Sequence, residues 1–352
     1  MTFYKDKMII IKDLQGNIIL FRLVDKDLVQ YIFHKQSNSL KEKLVSKGIN
    51  SEFDVSIGKG NHIYLLYQNM SLNLILSLLN DGQIEDVKLT REAIPKVHNL
   101  DLIMVDETPH IFYCILLSEN KKKYRIYHHY HDDTDWITHI VDEIEAGEVL
   151  NPLRILKHDT KLIIGYYDKQ QNDTIFIKTF NYARKSWENK IKLIDNSKDL
   201  LYIDMLLINN RLHIVYCIYD ENLVVKYERF SYDDEINHDK GEILSNEGNT
   251  MYPTLIYYEN KLWVVWIENE NIMSRYSMDQ GITWSPIYLW NDSKTKEIVR
   301  YKYLSNSNNV ENVLDYSFGT IQPDIGFIGF GPLTNTTEIP LKKKTQYPIF
   351  KL

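Results

Sequence analysis

Short runs of apolar and aromatic residues, separated by polar turns, recur along most of the chain. In the best defined stretch these runs cover residues 253–258, 262–267 and 271–277. They are rich in β-branched and aromatic residues and only six or seven residues long, a pattern that predicts β-strands. The connection at Glu259-Asn260-Lys261 is short enough to join two antiparallel strands directly. This stretch is therefore predicted to form three successive antiparallel strands.

The same arrangement recurs six times along the chain. We call the first residue of the second strand in each unit its anchor; the anchors are Ile18, His62, His110, Ile163, His213 and Trp263. Successive anchors are 44, 48, 53, 50 and 50 residues apart. One strand-like run precedes each anchor and two follow it, as in the third unit with runs at 100–105, 110–116, 123–129 and 135–141. Four short strands repeated at this spacing are typical of the blades of a β-propeller.

The repeat predicts an all-β protein. We expect a six-bladed β-propeller of four-stranded antiparallel blades, with five or seven blades as alternatives, because a single sheet cannot bury both of its faces but a ring of sheets can. The predicted blades cover residues 3–50, 51–97, 98–150, 151–199, 200–249 and 250–306.

The last part of the chain does not repeat the unit. Residues 1–306 form the predicted propeller, and residues 307–352 a C-terminal appendage. Within the appendage, 307–309 is predicted to be a loop, 313–318 and 325–330 are candidate strands, and 340–344 is an extended tail. One of the two strands is expected to pair with the first blade, because mixing the chain ends in one sheet would remove an exposed edge.

A distinctive turn follows the third strand of the last unit. Its sequence, Ser277-Met278-Asp279-Gln280-Gly281-Ile282-Thr283-Trp284, resembles the Asp-box of sialidase-like β-propellers, S-x-D-x-G-x-T-W. The stretch Tyr252-Pro253-Thr254-Leu255 is similar to the same repeats. The resemblance covers residues 249–286 and implies a turn between the third and fourth strands of a blade, on the outer rim and away from the ligand pocket.

The Asp-box residues are predicted to be structural. Asp279 and Thr283 can hydrogen-bond to backbone amides of the turn, Gly281 permits a positive φ, and Trp284 is expected to pack between strands. Ser277 completes the motif. The third and fourth units keep only its tryptophan, as Trp136 and Trp187, so one strict copy stands beside degenerate ones.

Charge and hydropathy limit the partners and the location. A formal net charge of −7 disfavours nucleic acid and anionic membrane surfaces. No apolar run approaches the roughly 18 residues of a membrane span, and the first residues lack the features of a signal peptide. A cytoplasmic protein is expected, with surface association left open. Cys114 and Cys217 lie within apolar strands and are predicted to be reduced core residues.

The repeat also places polar residues at equivalent positions. Nine residues before the anchors stand Ile9, Phe53, Asp101, Arg154, Asp204 and Thr254. First strands line the central channel of a propeller, so equivalent positions should converge near its axis. Asp101, Arg154, Asp204 and Thr254 are therefore the predicted ligand-binding residues, suited to a polar or sugar-like ligand. The alternative is an ion-pair network that fills the channel together with water.

Two groups of histidines are candidate metal ligands. Three anchors are histidines, His62, His110 and His213, but second strands lie too far from the axis for these side chains to meet. His129, His131 and Asp133 share a strand face, but they run into a rim turn that is expected to be solvated. Packed or hydrogen-bonded imidazoles are the preferred interpretation, and no metal or cofactor is predicted.

The resemblance also implies an activity to be tested against the residues. In sialidases three arginines bind the substrate carboxylate, a Tyr–Glu pair supplies the nucleophile and an Asp is the acid/base. No three arginines of this chain match those positions, and the first unit has only Arg22. No catalytic residue is therefore predicted.

The preferred hypothesis is a non-catalytic propeller that recognises a carbohydrate or protein partner through its central pocket or rim. One alternative is a sialidase-like glycoside hydrolase using carboxylates such as Asp101 and Asp204. A second alternative is a structural scaffold, which predicts an exposed apolar patch and an empty channel.

Overall fold

The chain is all-β. The computed structural model describes residues 7–37, 39–59, 62–80, 83–132, 134–171, 173–195, 198–233, 235–305, 312–321 and 325–342. These residues form 29 strands in six sheets and two 3-10 turns, Lys169–Gln171 and Asn291–Lys294, and none of them lies in an α-helix. Within these ranges no helix has the length and apolar character needed to cross a membrane. Multiple four-stranded antiparallel sheets are consistent with a β-propeller.

The first three sheets each take four consecutive strands from one sequence unit. The first contains β1 (Met8–Lys12), β2 (Ile18–Val24), β3 (Asp27–His34) and β4 (Ser39–Ser46). The second contains β5 (Ile49–Ile57), β6 (Ile63–Asn69), β7 (Leu74–Asn80) and β8 (Gln83–Lys88). The third contains β9 (Val97–Val105), β10 (Thr108–Ser118), β11 (Lys123–Asp132) and β12 (Asp135–Glu145).

The remaining sheets follow the same up-and-down order with small variations. The fourth contains β13 (Arg154–His158), β14 (Lys161–Asp168), β15 (Thr174–Asn181), β16 (Ser186–Trp187) and β17 (Ile191–Asp195), the last two both pairing with β15. The fifth contains β18 (Leu200–Ile208), β19 (Arg211–Asp220), β20 (Asn222–Tyr232) and β21 (Ile236–Ile243). The sixth contains β22 (Thr250–Tyr258), β23 (Lys261–Glu268), β24 (Asn271–Ser277) and β25 (Ile287–Trp290).

The two ends of the described chain meet in the first sheet. There β26 (Val299–Ser305) pairs in parallel with β1, and β27 (Tyr316–Thr320) and β28 (Gly326–Ile328) extend the sheet beyond it. The appendage strands β27 and β28 join the first sheet, but neither pairs with a strand of the first unit; that pairing is made by β26, which the repeat had placed in the sixth unit. The last strand, β29 (Thr336–Ile339), adds instead to the edge of the sixth sheet. The predicted loop 307–309 and the tail residues 343–344 lie outside the described residues.

The core lies between neighbouring sheets, because strand residues alternate between the two faces. Phe112 of the third sheet and Tyr166 of the fourth belong to one cluster of buried residues, and both are fully buried. Val225 of the fifth sheet and Trp266 of the sixth belong to another. Cys114 and Cys217 are buried in these clusters as free thiols, which confirms their prediction.

Strand register corrects the alignment of the second unit. In the third to sixth units, the residue two after the anchor pairs with the predicted channel residue: Phe112 with Asp101, Gly165 with Arg154, Val215 with Asp204 and Val265 with Thr254. In the second unit Leu66 pairs with Asp54, and these two residues are one position further apart in the chain than the corresponding pairs of the third to sixth units. The equivalent anchor is therefore Tyr64 rather than His62, and the channel position is Asp54 rather than the fully buried Phe53.

The turn at 277–283 is closed by its own side chains. The Ser277 hydroxyl donates to Asp279 Oδ1 (2.7 Å), and the Thr283 backbone N–H donates to the same oxygen (2.8 Å). Although desolvation opposes the effect, hydrogen bonds from Thr283 lower the pKa of Asp279 to about 2. Gly281 has a φ of +83°. Trp284 packs edge-on against Tyr227 of the fifth sheet, with ring centroids 4.9 Å apart, so the turn contacts the preceding sheet.

Candidate functional site

Charged side chains from several sheets converge at the first strands. Arg154 Nε lies 2.6 Å from Asp204 Oδ1, joining the fourth sheet to the fifth. Lys302 on β26 lies 2.6 Å from Asp54 Oδ2 and 3.4 Å from Asp101 Oδ1, joining the first sheet to the second and third. We call this group the channel cluster, which consists of Asp54, Asp101, Arg154, Asp204, Thr254, Arg300, Lys302 and Tyr316.

Two carboxylates of the channel cluster, Asp204 and Asp54, bond to the backbone of neighbouring strands. Besides its arginine, Asp204 accepts hydrogen bonds from the backbone N–H groups of Met205 (2.9 Å) and Leu255 (2.8 Å), and it is 2% exposed. Asp54 accepts from the backbone N–H of Leu102 (2.7 Å), the same kind of bond to the next sheet. Asp204 therefore ties neighbouring first strands together, which argues against the hypothesis that it acts as a catalytic acid or base.

Asp101 has a different environment. It is partly exposed, and Lys302 is the ion-pair partner found for it among the described residues. Burial raises the pKa of Asp101; Lys302 opposes this rise and nearby Asp54 adds to it. The Asp101 carboxyl group has access to solvent, so it can exchange hydrogen bonds with a ligand. The Asp204 carboxyl group is buried and cannot do so.

Two arginines stack on one tyrosine. The guanidinium groups of Arg154 and Arg300 lie 4.7 and 4.2 Å from the centroid of the Tyr316 ring. Arg300 also lies over Tyr252 (5.6 Å) and donates a long hydrogen bond to Thr254 Oγ1 (3.5 Å). Burial lowers the pKa of Arg300. Cation–π contacts of this kind hold the ring and both guanidinium planes in fixed positions.

A cavity of about 880 Å³ opens next to the channel cluster. Asp101, Arg154, Lys302 and Tyr316 contribute to its walls, which also contain apolar side chains of the C-terminal segment such as Phe327 and Phe330. Its other walls are the C-terminal ends of the first strands, including Met104, Lys157, Leu207 and Tyr258. The size and the mixture of polar and apolar groups suit a small organic ligand.

The cavity and the turn at 277–283 can be located relative to each other from the strand order. In an up-and-down sheet, the turn after the first strand and the turn after the third strand are at the same end. The cavity reaches Tyr258, which ends β22, and the turn at 277–283 follows β24 of the same sheet. Both are therefore at the same end of the sixth sheet, but none of residues 277–284 lines the cavity.

The sequence-predicted site residues divide into two groups. Asp101 and Arg154 line the cavity, whereas Asp204 and Thr254 are buried behind it and hold Arg154 and Arg300. The sequence prediction missed four members of the cluster: Asp54, Arg300, Lys302 and Tyr316. The alternation of Arg300 and Lys302 with apolar neighbours in β26 was a usable signal, but no repeat related that strand to the other first strands.

The histidine anchors do not form a common site. His110 Nδ1 lies 2.9 Å from His128 Nε2, and His213 Nδ1 lies 2.7 Å from the Tyr227 hydroxyl. Burial lowers the pKa of His110 to about 4 and that of His213 to about 3. The interpretation as packed, hydrogen-bonded imidazoles is thus confirmed for these two. His62 is half-exposed, with Glu107 3.9 Å away.

The second histidine group is only partly covered by the structure. His129 is buried, with its Nδ1 2.6 Å from Thr138 Oγ1, and Asp133 lies outside the described residues. In the part of the chain that the structure describes, no three His, Cys, Asp or Glu side chains are arranged to hold a metal ion.

The comparisons with known proteins concern the fold. No protein-family model matches the chain, and no curated protein matches it in sequence. A solved polysaccharide lyase, an ulvan lyase with a bound saccharide, is similar over 97% of this chain and 96% of its own, with a TM-score of 0.56 and 9% identity. At that identity the likeness shows an all-β fold of the β-propeller kind and nothing about activity.

Two further solved structures are less similar. A Dyadobacter fermentans protein of unknown function matches over 75% of this chain and 90% of its own (TM-score 0.48, 13% identity). The Aleuria aurantia lectin, in complex with a fucose-containing disaccharide, matches over 81% and 95% (TM-score 0.47, 9% identity). Likenesses of this size carry no argument about this chain.

Proposed function

We propose that the protein is a six-bladed, Asp-box β-propeller that binds a carbohydrate non-catalytically in the cavity beside the channel cluster. The observation that carries the proposal is the wall of that cavity, where Asp101, Arg154, Lys302 and Tyr316 meet. Six sheets closed by the pairing of β26 with β1 support the blade number.

The cavity has the groups that saccharides require. A carboxylate and two cationic donors can hydrogen-bond to sugar hydroxyls, and aromatic side chains can cover the apolar face of a sugar ring. Asp101 and Arg154 are the proposed ligand contacts. Asp204 fixes the position of Arg154, and Thr254 helps to fix Arg300, so these two act on the ligand only through the arginines.

A glycoside hydrolase is the second candidate, favoured by one observation. The two carboxylates in the described wall of the cavity are Asp101 and Asp315, and Asp101 has a raised pKa. Hydrolases need two carboxyl groups in one cleft, about 5–5.5 or 6.5–9.5 Å apart. Asp315 is ion-paired at 3.6 Å with Arg154, so a catalytic water would have to compete with that contact. Binding without turnover is therefore preferred.

The scaffold hypothesis is less well supported. It expected an empty channel, whereas ion pairs cross between the first strands of several sheets. Burying this group of charges has a desolvation cost, which favours a role for the charges in recognition or in fixing the arrangement of the sheets.

A glycan array with matched variants tests the proposal. Asp101→Asn removes the charge while keeping the shape of the side chain, and we expect it to weaken glycan binding at least about tenfold through loss of charge-assisted hydrogen bonds. Asp106→Asn is the control, because Asp106 is an exposed residue of the β9–β10 turn outside the cavity wall.

Three outcomes decide between the candidates. Selective loss of binding in Asp101→Asn supports the proposal. Release of sugar from a bound glycan, lost in the same variant, would replace it with the hydrolase. Absence of any glycan binding by the unaltered protein would refute carbohydrate recognition.

A further inference from the structure

A second cleft lies on the outer strands of the second and third sheets. It has a volume of about 540 Å³. Its walls are formed by the end of β8 and the residues after it, by β11 and by the start of β12: Lys88, Leu89, Thr90, Arg91, His129, Asp135 and Trp136. We call it the rim cleft. It shares no residue with the channel cluster or with the cavity described above.

An ordered aromatic pair forms part of the rim cleft. The rings of Trp136 and His129 are stacked, with centroids 4.8 Å apart and planes 7° from parallel. His131 contacts Trp136 edge-on at 5.4 Å. Since these contacts fix the plane of the half-buried indole, it is a rigid surface on which an apolar ring face can lie at little entropic cost.

One polar atom in this wall has no partner. His129 is 8% exposed, and its Nδ1 is engaged by Thr138, but no hydrogen-bond partner for its Nε2 exists among the described residues. Burial lowers the pKa of His129 to about 4, so the ring is neutral at pH 7. Buried polar atoms are nearly always paired, so a ligand or water is expected to complete this one.

The rim cleft also contains cations without carboxylate partners. Lys88 and Arg91 are both exposed, and neither forms an ion pair within the described parts of the chain. The Lys88 ammonium makes one long hydrogen bond, to the Arg91 carbonyl (3.4 Å). Asp135, the exposed residue before Trp136, also lines the cleft. On a chain with a net charge of −7, two unpaired cations next to a fixed indole form a local anion-binding feature.

We propose that the rim cleft is a second binding site, for a saccharide that carries one acidic group. Arg91 and Lys88 bind the acidic group, a sulfate or a carboxylate, because a guanidinium fork matches either oxyanion. The sugar ring packs against Trp136, and its hydroxyls bond to Asp135 and to His129. The rim cleft is separate from the cavity beside the channel cluster, so binding in the cleft can be tested independently of binding in the cavity.

The indole N–H signal of Trp136 gives a local measurement of binding. Nitrogen-15 NMR resolves the indole groups of the protein, and Trp136→Phe identifies the relevant signal. The probes are methyl glucuronide, galactose 6-sulfate, uncharged methyl galactoside and inorganic sulfate. We expect the two acidic sugars to shift the signal with affinities at least about tenfold higher than that of the uncharged sugar.

Variants separate the site from nonspecific charge effects. Arg91→Ala is expected to weaken the binding of the acidic sugars at least about tenfold, and Lys88→Ala is expected to weaken it less. Arg184→Ala is the matched control, because Arg184 is an exposed turn arginine of the fourth sheet outside the cleft. All three side chains are at the surface, so folding should be preserved.

Each result of these measurements either supports or overturns the rim cleft as a saccharide site. A shift produced by only one of the two acidic sugars supports the site and identifies its acidic group. Binding of inorganic sulfate as strong as that of galactose 6-sulfate would overturn saccharide recognition in favour of simple anion binding. An unmoved Trp136 signal, or equal affinities for the Arg91→Ala and Arg184→Ala variants, would overturn the site altogether. Neither result would alter the expected effect of Asp101→Asn on the central cavity.

Discussion

Lys302 connects β26 of the first sheet to the second and third sheets, and its replacement by methionine should destabilise the protein. The ammonium group lies 2.6 Å from Asp54 and 3.4 Å from Asp101, and the side chain of Asp54 is completely buried. Methionine keeps a straight apolar chain of similar length and removes only the charge and the donors. The expected change is therefore electrostatic rather than steric.

The expected loss of stability in Lys302→Met follows from the burial of Asp54, its ion-pair partner. Removing one member of a buried ion pair typically costs about 3–5 kcal/mol, because the remaining charge has no compensation. Asp54 would keep its bond from the Leu102 N–H but lose the cation with which it is ion-paired. Since domains are stable by about 5–15 kcal/mol, Lys302→Met should lose a large share of the total stability. Adding Asp54→Asn to Lys302→Met removes the uncompensated charge and should restore at least about 1.5 kcal/mol.

Urea unfolding of the two single variants and the double variant measures this coupling. Tryptophan fluorescence and far-ultraviolet circular dichroism should give coincident transitions, because the calculation assumes two states. Lys121→Met, at an exposed turn residue, is the control and should change stability by less than about 0.5 kcal/mol. A loss below about 1 kcal/mol for Lys302→Met, or a double variant no more stable than it, would refute the ion-pair account.

Two further predictions concern the turn and the buried histidines. Gly281→Ala should lower the thermal unfolding midpoint more than Gly48→Ala: both glycines have positive φ, but a Cβ at Gly281 would also collide with the Tyr227 hydroxyl, whereas at Gly48 the nearest atom is 3.4 Å away. Equal effects would contradict this account. The pKa of His213 is lowered from 6.5 to about 3, so the unfolded chain binds a proton that the folded chain does not; stability should be complete above about pH 6.5 and fall as the pH drops towards 3. His213→Gln should reduce the loss in urea stability between pH 7 and 4.5 by up to about 3 kcal/mol, and an unchanged loss would show that other groups dominate.

Much of the local structure was predictable because it depends on patterns of residues that are close together in the sequence. The strands follow from apolar and aromatic runs between polar turns, and the unit recurs at nearly constant spacing. The nearly constant spacing of the unit predicts Asp101, Arg154 and Asp204 as one group of equivalent residues. The prediction failed in the second unit, where Asp54 and its partner Leu66 are one position further apart in the chain than the corresponding pairs of the third to sixth units, so the channel position is Asp54 and not Phe53.

The candidate site was only partly predictable because several of its members lie in non-repeating sequence. Arg300, Lys302 and Tyr316 reach the channel cluster only because β26 pairs in parallel with β1, nearly 300 residues away in the chain. The division between Asp101, which faces the cavity, and Asp204, which bonds to the next strand, also depends on contacts between sheets.

The sequence by itself determined the strands, their order and the equivalent polar positions of the third to sixth units, because side-chain periodicity and turn chemistry act over a few residues. The tertiary structure decided which charges meet, which of them are covered and which face carries the cavity. Those properties depend on the pairing of distant strands and on the burial that it produces, and neither leaves a regular local pattern in the chain.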